Sequence, residues 1–123
     1  ELETAHSAKL PVWVKGNVYF NGAKAYKKET GNLVDTEHEV TVDLNMEEGC
    51  PVLSTNLYDF LGDFADGMVN SDILGYAFEP EERFENPDGT DIVFDTDYFG
   101  NHRGIRVLPG PFAKAEDAGK KLF

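Results

Sequence analysis

Apolar and polar positions alternate from Val12 to Lys28. Val12, Val14, Val18, Phe20, Ala23 and Ala25 fall on one side of an extended chain, and Trp13, Lys15, Asn17, Tyr19, Lys24, Tyr26 and Lys28 on the other. Asn21-Gly22 lies between the two alternating segments. Such a pair predicts a type I′ turn, because both central residues take positive φ. The pattern therefore predicts a hairpin with Phe20 opposite Ala23, Tyr19 opposite Lys24 and Lys15 opposite Lys28.

His38 to Leu44 alternates in the same way and predicts a third antiparallel strand, with Val40, Val42 and Leu44 inward. Glu47 to Pro51 breaks the pattern. Leu57, Phe60, Leu61, Phe64 and Met68 then recur at helical spacing, with Ser54 or Thr55 able to cap the start and Gly67 to mark the end. Gly62 weakens that helix. Ile73 to Phe78 reads as a strand stopped by Pro80. Asn86-Pro87-Asp88-Gly89 predicts a turn joining a strand near Glu82–Glu85 to one at Thr90–Asp95. Arg103 to Leu108 reads as a last strand, Ile105 and Val107 inward and Arg106 outward. Ala113 to Lys121 suits a short helix or a loose tail. Residues 1–10 lack periodicity and read as a flexible arm before one globular domain, 11–123. The order of elements predicts a mainly β fold, an OB-like β-barrel with one short α-helix. The alternative is an α+β arrangement, an antiparallel sheet with one packed helix.

Composition narrows the class. In 123 residues, 41% hydrophobic and 12% aromatic, there is enough apolar material for a core without metal or disulfide staples. The single cysteine, Cys50, forms no internal disulfide and is compatible with a reducing, intracellular compartment. No apolar run approaches the ~20 residues of a membrane helix, so no membrane partner is expected. The net charge of −12 is unevenly spread: residues 1–28 hold five lysines against two acids, 29–99 hold nineteen acids against one arginine, and 100–123 hold five basic residues against two acids. Basic ends suit a polyanion, whereas an acidic middle repels one or docks a basic protein.

The polar side of the expected hairpin interleaves rings with cations. Trp13, Tyr19 and Tyr26 would stack bases, Lys15, Lys24 and Lys28 would meet phosphates, and Arg103 and Arg106 would edge the groove. Val14-Lys15-Gly16-Asn17-Val18-Tyr19-Phe20, followed by Glu39-Val40-Thr41-Val42-Asp43-Leu44, resembles the opening of the single-stranded DNA-binding proteins of short-tailed bacteriophages. Gly104-Ile105-Arg106-Val107-Leu108-Pro109 is loosely similar to a later strand of that family. The resemblance covers mainly residues 12–44. It implies an OB fold, sequence-tolerant single-strand binding and no catalysis, with binding at Trp13, Lys15, Tyr19 and Tyr26. Where that family ends in an acidic tail, this chain has Lys120-Lys121 before Phe123, so no tail function carries over.

The leading expectation is thus a non-enzymatic single-stranded DNA-binding module. The alternative is an acidic protein-interaction module of inhibitor, immunity or virion type, with Glu79, Glu81, Glu82 and Glu85 steering a basic protein partner. Homo-oligomerisation stays open in either case. Asp95-Thr96-Asp97-Tyr98-Phe99-Gly100-Asn101 begins like a calcium loop, but Phe99 and Arg106 stand where an oxygen ligand and a bidentate glutamate belong. A solvated acidic turn is expected there, with a looser calcium site at Asp91, Asp95 and Asp97 as the alternative. His6, His38, His102 and Cys50 have no metal-type spacing, and no glycine-rich phosphate loop occurs, so no metal or cofactor is expected. Nineteen acids guarantee some carboxylate pairs, so pairing alone gives no support to glycosidase chemistry.

Overall fold

A computed structural model describes residues 13–77 and 81–123. The expectations for the arm, for Val12 and for Glu79 lie outside the described residues. Two compact units divide the chain. One holds 14–68 and 94–123; the other holds, of the described residues, Trp13, 69–77 and 81–93.

The fold is mainly β with one short α-helix. Its elements are β1 (Val18–Tyr19), β2 (Leu33–Val34), β3 (Val42–Glu47), β4 (Cys50–Thr55), a 3-10 turn at Leu57–Phe60, β5 (Asp66–Gly67), α1 (Ser71–Leu74), β6 (Arg106–Val107) and a second 3-10 turn at Ala115–Asp117. The strands form three separate pairs, β1–β2 parallel, β3–β4 antiparallel and β5–β6 antiparallel. They close no barrel among the described residues.

The Asn21-Gly22 turn forms, with φ of 55° and 82°, and Ala23 N donates to Phe20 O at 3.0 Å. The hairpin expected around it does not. Leu33 N donates to Asn17 O at 3.0 Å and Asp35 N to Tyr19 O at 2.9 Å, so β1 pairs in parallel with β2. The stretch 20–32 supplies the long crossover that parallel pairing requires. The hairpin register would set Lys15 against Lys28, an unfavourable pair. Glu29 instead ties the crossover back to the first strand: its carboxylate accepts from Asn17 N at 3.1 Å, Asn17 Nδ2 at 2.8 Å and Tyr19 Oη at 2.5 Å.

Two side-chain amides replace strand partners beside the next segment. Asn21 accepts from Val40 N at 2.8 Å and donates to Val40 O at 2.7 Å. Asn56 accepts from Thr41 N at 2.9 Å and donates to Glu39 O at 3.1 Å. The ladder therefore starts only at Val42. Where the pattern breaks, Glu48 and Gly49 take φ of 50° and 81° and turn β3 into β4, a second hairpin. Val42, Leu44 and Met46 share one face of β3 but are 65%, 65% and 68% exposed, against the inward expectation for Val42 and Leu44. Alternation groups them correctly; among the described residues no packed layer covers them. Val52, opposite Asn45, is buried, and the far edge of β4 receives Gly119 N on Leu53 O and Leu122 N on Pro51 O, both at 2.8 Å.

The helix expected over 57–68 shrinks to the 3-10 turn, because Gly62 takes φ 53° and the chain turns away. Leu61 still reaches the core, with Phe20, Val52 and Phe112. Of the strand expected over Ile73–Phe78, Ile73 and Leu74 lie in α1, which Asn70 caps by accepting from Ile73 N at 3.0 Å and Gly75 ends at φ 71°, whereas Tyr76 bridges antiparallel to Arg83 and Phe78 lies outside the described residues. The Asn86–Gly89 turn forms, with Asn86 N on Thr90 O at 2.8 Å and Glu85 opposite Asp91. The last strand is reduced to β6. Ile105, expected inward, is 84% exposed, since β6 pairs with only two residues of β5.

Candidate functional site

The hairpin that would set Lys15, Tyr19, Lys24, Tyr26 and Lys28 on one sheet face does not form. Lys15 Nζ sits 2.7 Å from Asp66 Oδ1, and this hydrogen bond holds the Asp66 carboxyl below its ordinary range. Tyr19 donates to Glu29, and that carboxylate pushes its phenol pKa up. Arg103 Nη2 donates to Gly110 O at 2.6 Å and Arg106 Nη2 to Asp63 O at 3.0 Å. Lys24, Tyr26 and Lys28 are exposed on the β1–β2 crossover. Trp13, also exposed, belongs to the other unit. Of the acids proposed to steer a basic partner, Glu81, Glu82 and Glu85 are exposed.

Residues 95–103 build a different feature, a tight hairpin organised by Asp97. Thr96 lies opposite His102, and Arg103 N donates to Asp95 O at 2.7 Å. Gly100 takes φ 80° at the tip. The Asp97 carboxylate accepts from Phe99 N at 2.9 Å, Asn101 N at 2.8 Å, Asn101 Nδ2 at 3.2 Å and Ala113 N at 2.8 Å. Its side chain is buried, which corrects the expectation of a solvated turn. Burial pushes its pKa up, but the hydrogen bonds from Ala113, Asn101 and Phe99 outweigh burial and leave it below the ordinary range. With its oxygens engaged this way, Asp97 is a structural hub. Among the described residues no three His, Cys, Asp or Glu side chains converge as metal ligands.

Beneath the hairpin lies an aromatic cluster. Phe112, fully buried, stacks on Phe99 at 5.5 Å and 11° and tilts against Tyr58 at 6.5 Å. Tyr98 meets Phe99 edge-on at 5.4 Å and 81°, and its N–H donates to Pro111 O at 2.9 Å. Tyr98 is thus an exposed ring, 53% accessible, on a fixed base. Gly110 at φ 91° lets the chain pass close to Tyr58, since a Cβ there would stand 2.9 Å from its hydroxyl. Asp117, buried nearby, bonds Lys120 and lies 3.5 Å from Asn101 Nδ2. At the hairpin base His102 Nδ1 stands 3.8 Å from Asp95 Oδ2, and both side chains reach solvent.

The exposed ring of Tyr98 and the solvent-reaching side chains of Asp95 and His102 thus stand on one hairpin. Set against a metal template, Asp95 to Asn101 did not disclose the hydrogen-bonded hub at Asp97 or the aromatic cluster beneath it. The adjacent Tyr98-Phe99 pair ahead of a Gly-Asn turn was the available signal, and its partner Phe112 stands well downstream.

No family model matches the chain, and no curated protein matches it. Among solved structures it is similar to one described as "The complex structure of XylC with xylose", with 30% sequence identity and a TM-score of 0.74. The similarity covers 84% of this chain and spans 16% of the XylC chain.

Proposed function

We propose that this chain is a β-rich segment of a larger pentose-binding protein, and that its hairpin 95–103 offers a sugar ring a non-catalytic contact. The observation that carries this reading is the 30% identity at a TM-score of 0.74 with a protein captured with xylose. A shared fold does not by itself confer function, so the claim is placed on particular groups. Tyr98 stacks the ring, and Asp95 and His102 exchange hydrogen bonds with its hydroxyls. The buried carboxylates Asp97 and Asp117 hold the loop instead of reacting, being occupied by N–H donors and Lys120. The test is calorimetric titration of xylose and short xylo-oligosaccharides into the wild-type chain and Tyr98→Ala. Saturable binding that weakens roughly tenfold in the variant supports the reading. A folded wild type that binds neither sugar refutes it.

A second reading, single-stranded nucleic acid on an OB-like module, is favoured by the exposure of Lys24, Tyr26 and Lys28. It is weakened by the engagement of Lys15, Tyr19, Arg103 and Arg106 in internal bonds. Titration with oligo-dT at low and high salt separates the two, because phosphate contacts are strongly salt-dependent.

A further inference from the structure

We propose that the outer edge of β3 accepts an extended strand from a partner polypeptide in which apolar and cationic residues alternate. This proposal stands independently of the sugar reading.

Among the described residues β3 carries a ladder on one side only. In a two-residue hairpin the residues flanking the turn form a hydrogen-bonded pair, here Glu47 and Cys50. Asp43, Asn45 and Glu47 then bond inward to β4, and Val42, Leu44 and Met46 direct their N–H and C=O groups outward. Among the described residues no other strand or bridge pairs with that edge. β4 differs, since its far edge is met by 119–122. An open six-residue edge matches the usual length of a strand, and such edges are templates for strand addition.

The side chains define the occupant. Val42, Leu44 and Met46 form a continuous apolar row, each about two-thirds exposed. An added strand covers that row with its own apolar positions. The opposite row is Asp43, Asn45 and Glu47, all exposed, and neither acid makes an ion pair among the described residues. Cationic residues of an added strand would lie beside them, and opposite charges across a ladder are favourable. A second copy of this edge fits less well. It brings acids or asparagine to the same places, and the chain already carries −12.

The test uses two end-blocked synthetic peptides, Thr-Val-Lys-Val-Lys-Val-Thr and its Glu-for-Lys counterpart. Each is titrated by fluorescence anisotropy at low and raised salt, with sedimentation of the protein alone in parallel. The expected result is binding of the lysine peptide that falls with salt, and a roughly tenfold loss in Leu44→Glu. The double variant D43K/E47K, both sites exposed, should keep the far-UV circular dichroism and reverse the preference to the glutamate peptide. Equal binding of both peptides, or of neither, overturns the proposal. So does a dimer that strengthens with salt and is lost in Leu44→Glu, which would assign the edge to a second copy.

Discussion

Asn21 offers the sharpest test of how this chain holds itself together. It closes a turn in the left-handed region, at φ 55°, and its amide clasps Val40 through both N–H and C=O. Asn21→Ala removes both bonds and keeps the backbone geometry. Each bond contributes ~0.5–1.5 kcal/mol net, toward the low end at an exposed site. An ordinary L residue pays about 1–2 kcal/mol for left-handed φ. The expected loss is therefore ~2–4 kcal/mol. Asn21→Gly removes the bonds but relieves the backbone, so ~1–2 kcal/mol is expected. Asn21→Asp keeps the acceptor for Val40 N but sets a carboxylate oxygen against Val40 O, with a loss of similar size. Urea unfolding followed by far-UV circular dichroism gives the series directly. If Ala is no worse than Gly, the backbone argument fails. If all three variants stay within about 0.5 kcal/mol of wild type, the clasp carries no weight and the 39–41 segment is held by Asn56 alone.

Further expectations follow from the core, the tightest glycine and the carboxylates. Phe112→Ala should cost ~3–5 kcal/mol in the same assay, since the ring is fully buried against Phe99 and Tyr58; an unchanged midpoint would show that this cluster is not the core. Gly16 sits at φ 71° with space for a Cβ blocked by Asp66, whose own Cβ would lie 2.9 Å away. Gly16→Ala should therefore lower the melting temperature in calorimetry and displace the Lys15–Asp66 pair, and an unchanged melt would contradict that geometry. Asp66 is held low by Lys15, Asp35 by His38, and Asp97 by N–H donors that outweigh its burial. Carboxyls depressed in the folded state give stability that is full above the unfolded pKa of ~3.9 and is lost as pH falls through the folded values. The urea midpoint should thus hold down to about pH 4 and drop below it; a flat profile through that window would contradict the assignment.

Local requirements were legible in the sequence. Asn21-Gly22 and Asn86–Gly89 form turns because positive φ, proline and Asx chemistry act within a few residues. Choice of partner was not legible. Glu29 ties the crossover back to the side chains of Asn17 and Tyr19, and Asn21 and Asn56 reach across 19 and 15 residues to Val40 and Thr41. No periodicity encodes a side chain standing in for a strand. Alternation at Val42 and Leu44 reported which residues share a face, but not whether anything covers it. Helical spacing at Leu57–Met68 was real, yet one glycine in the left-handed region was enough to end the helix. The Asp97 hairpin was visible only as a failed metal motif, because its meaning depends on Ala113 N, sixteen residues on. The structural similarity to part of XylC carries no such local signature, which is why the sequence pointed first to nucleic acid.

The most direct test of the central claim is the titration of xylo-oligosaccharides into the folded wild-type chain beside Tyr98→Ala, with oligo-dT as the competing ligand. Saturable sugar binding that Tyr98→Ala weakens, with no salt-sensitive response to oligo-dT, is the predicted result. Salt-sensitive oligo-dT binding without any sugar response would contradict it.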